Sequence, residues 1–284
     1  MKPESPRPRP WLLGMKLANA AMSLAAAGFF GILIFSSLNC ASPTETVLTP
    51  MQRDDSLAVL AILKANGKSW PLDRPTFVAR DATGHVISMT LVNMGLDTIP
   101  PAIGDLTRLT WLELNSNRLR ALPHEMENLT ALRHLELGRN LLTALPDGLR
   151  LVHLEYLDLS RNRLAALPTN IDVTGLTYLG LDSNSLRSLP PDFKYLHALE
   201  VLSLAHNVLD SLPSAIDSLT ALRRLILSDN GLRTLPPAIM NLKLDFLDVG
   251  ENRLCFPGLG EPRGSMALWL DSLDRDWRLR QTCR

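Results

Sequence analysis

The sequence predicts an α/β solenoid: a stack of short coils with a parallel β-sheet on the concave side, short helical turns on the convex side, and a cap at each end. Three observations predict it. Leucine accounts for 59 of the 284 residues, whereas Phe, Trp and Tyr together make up 5%, so one side chain fills one recurring slot. Asn returns at 117, 140, 162, 184, 207, 230 and 252, at intervals of 22 or 23 residues, and a fixed period in that range marks a repeat architecture. Around each Asn the same apolar frame comes back. Lys plus Arg (29) balance Asp plus Glu (29), which argues against a nucleic-acid partner. With 46% hydrophobic and 20% charged residues the chain is not disordered as a whole.

One copy of the frame runs Leu109, Leu112, Leu114, Asn117, Leu119, Leu122, Pro123; others run Leu154, Leu157, Leu159, Asn162, Leu164, Leu167, Pro168 and Leu222, Leu225, Leu227, Asn230, Leu232, Leu235, Pro236. A degenerate first copy reads Val86, Met89, Leu91, Met94, Leu96, Ile99, Pro100. The alternating segment is a short strand, with Leu112 and Leu114 inward and Trp111, Glu113 and Asn115 outward. The Asn is drawn inside and must find hydrogen bonds to the turn and the neighbouring coil. A stack of such residues forms a ladder, a structural role. Pro opens the return segment, where no N–H is needed. Apolar residues every third position there (Ile103, Leu106, Leu109; Met126, Leu129, Leu132) predict 3₁₀ turns.

The frame LxxLxLxxNxLxxLP resembles the leucine-rich repeat family, over residues 86–257 and about eight coils. The resemblance implies the solenoid, and a non-catalytic interaction module without cofactors. End coils need lids. Residues 54–85 form the N-terminal one: Asp54, Asp55 and Ser56 open a helix that continues through Leu57, Leu60, Ile62 and Leu63 to Gly67. Residues 258–284 form the other, with an amphipathic helix over Ser265–Arg280. Cys255 and Cys283 bracket that helix. In an exported chain they form a disulfide worth about 3–4 kcal/mol; the alternative is two free thiols. The arrangement resembles the cap of secreted bacterial members of the family.

Residues 1–40 are an address. Lys2, Arg7, Arg9 and Lys16 precede an uncharged stretch from Leu17 to Leu38, the pattern of an export signal, though long enough to span a bilayer. Cys40 follows directly, and Ser37-Leu38-Asn39-Cys40-Ala41 resembles a bacterial lipobox, with Ser37 and Asn39 where Leu and Gly or Ala are usual. Lipidation at Cys40, an uncleaved anchor helix and ordinary cleavage are the three readings. Each takes the rest of the chain out of the cytoplasm, to the cell envelope in the first two. Residues 41–53 read as a tether.

No GxGxxG, Walker, HExxH or GxSxG motif is present, the six His lack metal-site spacing, and the Arg residues show no basic stripe. The informative surface is the concave sheet. Its first outward row is Ser88, Trp111, His134, Tyr156, Tyr178, Val201, Arg224 and Phe246; its second is Thr90, Glu113, Glu136, Asp158, Gly180, Ser203, Ile226 and Asp248. Large aromatics on a rigid strip are what binding hot spots use. Glu113, Glu136 and Asp158 are read as a complement to a basic partner, a cation site, a catalytic pair at glycosidase spacing, or plain surface; an open sheet has no water-excluding cleft for the third. The expected partner-binding residues are Trp111, Glu113, His134, Glu136, Tyr156, Asp158, Tyr178, Arg224 and Phe246. The expected function is non-catalytic binding of a protein or peptide by a monomer held at a membrane by its lipid or anchor helix, with no nucleic acid and no metal. The rivals are a carbohydrate or cell-wall binder that uses the aromatics as a stacking platform, and a passive structural protein of the envelope.

Overall fold

A computed structural model of the protein describes residues 50–68, 77–169, 172–254, 265–273 and 277–281. Leu17–Leu38, Cys40, Cys255 and Cys283 lie outside the described residues, and so do the anchor, lipidation and disulfide expectations. Among the described residues no helix is long and apolar enough to cross a membrane.

Helix α1 spans Pro50–Ala65. It begins four residues ahead of the expected Asp54, inside the stretch read as tether. Proline is tolerated in a first turn, where its missing N–H would have no partner, and Met51, Gln52 and Arg53 are good helix formers. Ala58, Val59, Ile62 and Leu63 are buried, one face of a helix, over the return turn of the first coil. Asn66 then clips helix to coil. Its Oδ1 accepts the N–H groups of Asp97 (2.7 Å) and Thr98 (3.0 Å), and its Nδ2 donates to the carbonyls of Ile62 and Thr98, both at 2.8 Å.

A strand absent from the expectation follows. β1 (Val78–Arg80) pairs antiparallel with β2 (Val86–Thr90). Asp81 closes this hairpin: its Oδ1 accepts from the Thr83 hydroxyl and from the N–H groups of Thr83 and His85. Those bonds hold its carboxyl down to about 2. From β2 onward every pairing is parallel, and every strand after β2 is three residues long: β3 (Trp111–Glu113), β4 (His134–Glu136), β5 (Tyr156–Asp158), β6 (Tyr178–Gly180), β7 (Val201–Ser203), β8 (Arg224–Ile226) and β9 (Phe246–Asp248). Leu112, Leu135, Leu157, Leu179, Leu202, Leu225 and Leu247 sit side by side in register, all buried.

The Asn ladder has a constant pattern. Asn162 Nδ2 donates to Leu137 O of the preceding coil (2.9 Å) and Leu159 O of its own (3.0 Å), and its Oδ1 accepts Leu142 N–H (3.0 Å). Asn117, Asn140, Asn184, Asn207, Asn230 and Asn252 repeat the scheme. The next rung is supplied by the C-terminal cap: Gln281 Oε1 accepts Leu254 N–H (3.2 Å) and its Nε2 donates to Val249 O (3.0 Å). Before each ladder position stands a residue in the left-handed region, among them Ser116 (φ 59), Arg139 (φ 56), Arg161 (φ 55) and His206 (φ 54).

Return turns are 3₁₀ at Pro101–Asp105, His124–Asn128, Pro191–Tyr195, Ser214–Ser218 and Pro237–Asn241, each directly after the frame proline. The coil entered at Pro146 differs: it turns at Gly148 (φ 74), and Arg150 then bridges to Asp172. The C-terminal helix α2 (Ser265–Leu273) is shorter than the continuous helix expected to Arg280. A separate 3₁₀ turn, Trp277–Arg280, places the Trp277 ring in the core, 1% exposed, with Nε1 donating to Asp271 at 3.0 Å, and sets Gln281 on the ladder.

Candidate ligand-binding face

Strand register builds both outward rows as the alternation predicts. Trp111, His134, Tyr156 and Tyr178 are direct cross-strand neighbours, and so are Glu113, Glu136 and Asp158. The rings do more than share a row. Trp111 and His134 stack with centroids 3.5 Å apart and planes 3° from parallel; His134 and Tyr156 follow at 4.2 Å and 10°, Tyr156 and Tyr178 at 4.3 Å and 4°. His134 and Tyr156 therefore have both faces covered, and the row presents edges. Stacked pairs contribute about 0.5–1.5 kcal/mol each beyond their burial, so the row is rigid and half-buried.

Arg224 and Phe246 do not join this stack. Val201 separates them from Tyr178, and the Arg224 guanidinium lies 5.0 Å from the Phe246 ring centroid as a cation–π pair of its own.

The second row is tied to the first. Trp111 Nε1 donates to Glu113 at 2.7 Å and His134 Nε2 bonds Glu136 at 2.7 Å. Alternation continues one step past the strands and makes a third row: Asn115, Gly138, Ser160, Asp182, Ala205. The sequence alternation places Asn115 outward, and the same position in the other coils was not followed. Asp182 belongs to the site: it accepts the Ser203 hydroxyl (2.5 Å) and Ala205 N–H (2.9 Å). Asn115 donates to Glu136, and its Oδ1 is buried without a hydrogen-bond partner.

The acidity is concentrated at one place. Burial raises the Asp158 carboxyl above its usual range, and the charges of Glu136 and Asp182 add to that; burial likewise raises Asp182. Asp248, at the far end of the second row, pairs with Arg280 Nη1 of the cap at 2.9 Å. Glycines pack closely against Asp158. A Cβ on Gly138 would lie 2.7 Å from Asp158 Oδ2, 3.2 Å from Asn115 Oδ1 and 3.3 Å from Ser160 Oγ. Asp158, Asn115 and Ser160 thus crowd this position so closely that only glycine fits between them. Among the described residues no group of three His, Cys, Asp or Glu could hold a metal ion.

The stack perturbs its phenols. Burial, then the charges of Asp158 and Asp182, pushes the Tyr178 hydroxyl up to about 12; burial, then Tyr178, pushes Tyr156 higher still. Both folded values lie above the free-phenol value of about 10. The neutral rings therefore contribute stability that is complete below pH ~10 and is lost as pH rises through the folded values. An alkaline titration followed by tyrosinate absorbance is expected to show Tyr178 ionising near 12. A Tyr178 that ionises at the free-phenol value would rule out the buried stack.

A family model of the leucine rich repeat matches residues 89–167 and 174–232. The chain belongs to the leucine-rich repeat family. Two solved structures show the likeness in space. A leucine-rich repeat protein of Leptospira interrogans is 26% identical, with a TM-score of 0.50 over 77% of this chain and 67% of that one. PEPR1, solved with AtPEP1, is 25% identical, with a TM-score of 0.61 over 72% of this chain and 33% of that one; the chain thus aligns with a third of PEPR1's length. No curated protein sequence matches significantly. Within the leucine-rich repeat frame, the inward Leu and Asn positions belong to the architecture. The stacked rings and the carboxylates stand at outward positions, which the frame leaves free to vary.

Proposed function

We propose that this leucine-rich repeat chain is a non-catalytic binding protein whose sheet face receives an extended, basic segment of a protein or peptide, and that it works tethered at the cell envelope. One observation carries the reading of the partner: Glu113, Glu136, Asp158 and Asp182 gather beside a rigid aromatic row, and only Asp248, at the far end, is neutralised by a neighbouring arginine. Holding carboxylates partly out of water costs stability, and a cationic partner offsets that cost. The pairing of PEPR1 with AtPEP1 on a related solenoid supports a protein or peptide ligand, and the apolar run with Cys40 supports the tether. A sugar-stacking platform fits less well, because sugars pack on ring faces and the inner faces here are covered by other rings.

The test is a displayed-peptide selection on the full chain. Selected peptides are expected to be enriched in Lys and Arg, with affinity that fades as salt screens the face. Asp158→Asn with Asp182→Asn should keep the fold, stabilise it by the ~0.5–2 kcal/mol typical of surface-charge optimisation, and lose the basic peptides. The sign follows from the raised carboxyls: their favourable contribution is present below the unfolded value of ~3.9 and lost as pH rises through the folded values, so at neutral pH the charges cost stability. Selected peptides without basic enrichment would sink the reading.

A further inference from the structure

The arginines that look scattered along the chain are gathered by the stacking of the coils. At the left-handed position stand Arg139 and Arg161, on adjacent coils joined by Arg139 N–H to Ser160 O at 2.8 Å. Two residues on stand Arg118 and Arg163; two further, Arg120 and Arg187. All six are exposed, and all lie on the loops that leave the sheet in four consecutive coils. No carboxylate among the described residues comes within ion-pair distance of any of them. The loops between β3 and Pro123, β4 and Pro146, β5 and Pro168 contain no acid, and the next contains only Asp182, held on the sheet side by Ser203 and Ala205. The patch is bounded. In the following coils the left-handed position becomes His206, Asp229 and Glu251, with His206 paired to Asp229 at 2.5 Å. Arg233 and Arg253 there alternate with Asp210, Asp229 and Glu251.

The geometry points to a second binding site, separate from the sheet face, in which this arginine edge holds an acidic polysaccharide. Three features select that class. The patch is one-dimensional, a strip across four coils spaced by about 4.8 Å, which complements a chain rather than a plane. It is built from guanidinium groups alone, which donate forked hydrogen bonds to sulfate, phosphate or carboxylate and accept none. A polysaccharide rich in acceptors satisfies such a strip, whereas an acidic peptide would leave its own backbone N–H groups unmatched there. No large apolar side chain stands exposed among these six to enter a bilayer, and the aromatic rings that single-stranded nucleic acid would need for stacking lie on the sheet, edge-on.

The experiment measures binding of the full chain in detergent to dextran sulfate, with uncharged dextran as the blank and phosphatidylglycerol vesicles and duplex DNA as the other polyanions. Dextran sulfate is expected to bind, with affinity falling steeply as salt rises. The variant Arg118→Gln, Arg139→Gln, Arg161→Gln, Arg163→Gln should bind it about six-hundredfold more weakly, from roughly fivefold per arginine. The pair Arg139→Gln with Arg161→Gln reads the same effect at smaller size should the fourfold variant fail to fold. Arg233→Gln with Arg253→Gln, on the same edge beyond the strip, should bind within about twofold of wild type. Equal loss in that control, unchanged affinity in both strip variants, or tighter binding of vesicles or DNA than of dextran sulfate would overturn the proposal.

Discussion

Replacement of Asn162 by leucine is expected to lower the unfolding free energy by about 3–5 kcal/mol, although the side chains are similar in bulk. The change orphans Leu142 N–H, at about 1–3 kcal/mol, and takes one of two amide donors from each of Leu137 O and Leu159 O, which Asn140 and Asn184 still serve, at about 0.5–1.5 kcal/mol apiece. A surface substitution stays within about 0.5 kcal/mol, so the effect stands well clear of background. Coils stabilise one another through nearest-neighbour contacts, hence the damage spreads to both neighbours. Chemical denaturation gives the loss, and amide exchange at Leu142 shows where it begins. Met94, in the ladder position of the first coil, shows why an end coil tolerates the change: its own backbone N–H is bonded by Asn117 Oδ1 at 3.0 Å. An unchanged denaturation midpoint for Asn162→Leu would refute the ladder at that coil.

The largest functional effect is expected for Tyr156→Ala combined with Tyr178→Ala. Aromatic anchors at a binding centre cost about 2 kcal/mol or more apiece when truncated, so the pair should weaken capture of a selected basic peptide by about a thousandfold. The stack changes the stability side of the argument. Outward strand residues alone would cost about 0.2–1 kcal/mol per cross-strand pair. Here Tyr156 also stacks on His134 and on Tyr178, so two stacking contacts are lost, about 1–3 kcal/mol in all. The double variant should therefore melt earlier but cooperatively, and affinities are compared at a temperature where both proteins are folded. His124→Ala with His153→Ala, both exposed and on return segments, should change neither property. Retained capture by the tyrosine variant and loss by the histidine variant would move the function to the convex side.

The solenoid was legible because its signal is periodic: a 22- or 23-residue interval, a buried Asn and a period-two strand each leave a mark that survives without coordinates. The two outward rows were legible for the same reason. What period two does not encode is torsion about side-chain bonds. The frame assigns Trp111, His134, Tyr156 and Tyr178 to one face, whereas the turning of the rings into a column depends on χ angles set by neighbours a coil away. Asp182 was missed because the alternation beyond the strand was followed at Asn115 alone and not carried to the equivalent position of the other coils. Gln281 was missed because it copies the role of Asn from outside the repeat. The arginine edge was invisible for the opposite reason: its six residues occupy three different phases of the repeat and converge only once coils stack. Arg224 and Phe246 were rightly placed on the row, but Val201 interrupts the column before it reaches them.

The two ends of the stack have a bearing on how such a chain changes over generations. Asn66 and Gln281 make their closing bonds almost wholly to main-chain atoms, which every coil offers alike. The side-chain contacts of the lids, such as Arg280 with Asp248, fall on the end coils themselves. Duplication or deletion of a whole internal coil would leave both closures chemically satisfied. What would shift is adjacency on the surfaces: losing the coil of Val201, for example, would bring Arg224 against Tyr178 and lengthen the column by a guanidinium and the Phe246 ring. The outward surfaces are thus open to revision in steps of one coil, with the scaffold's integrity held constant.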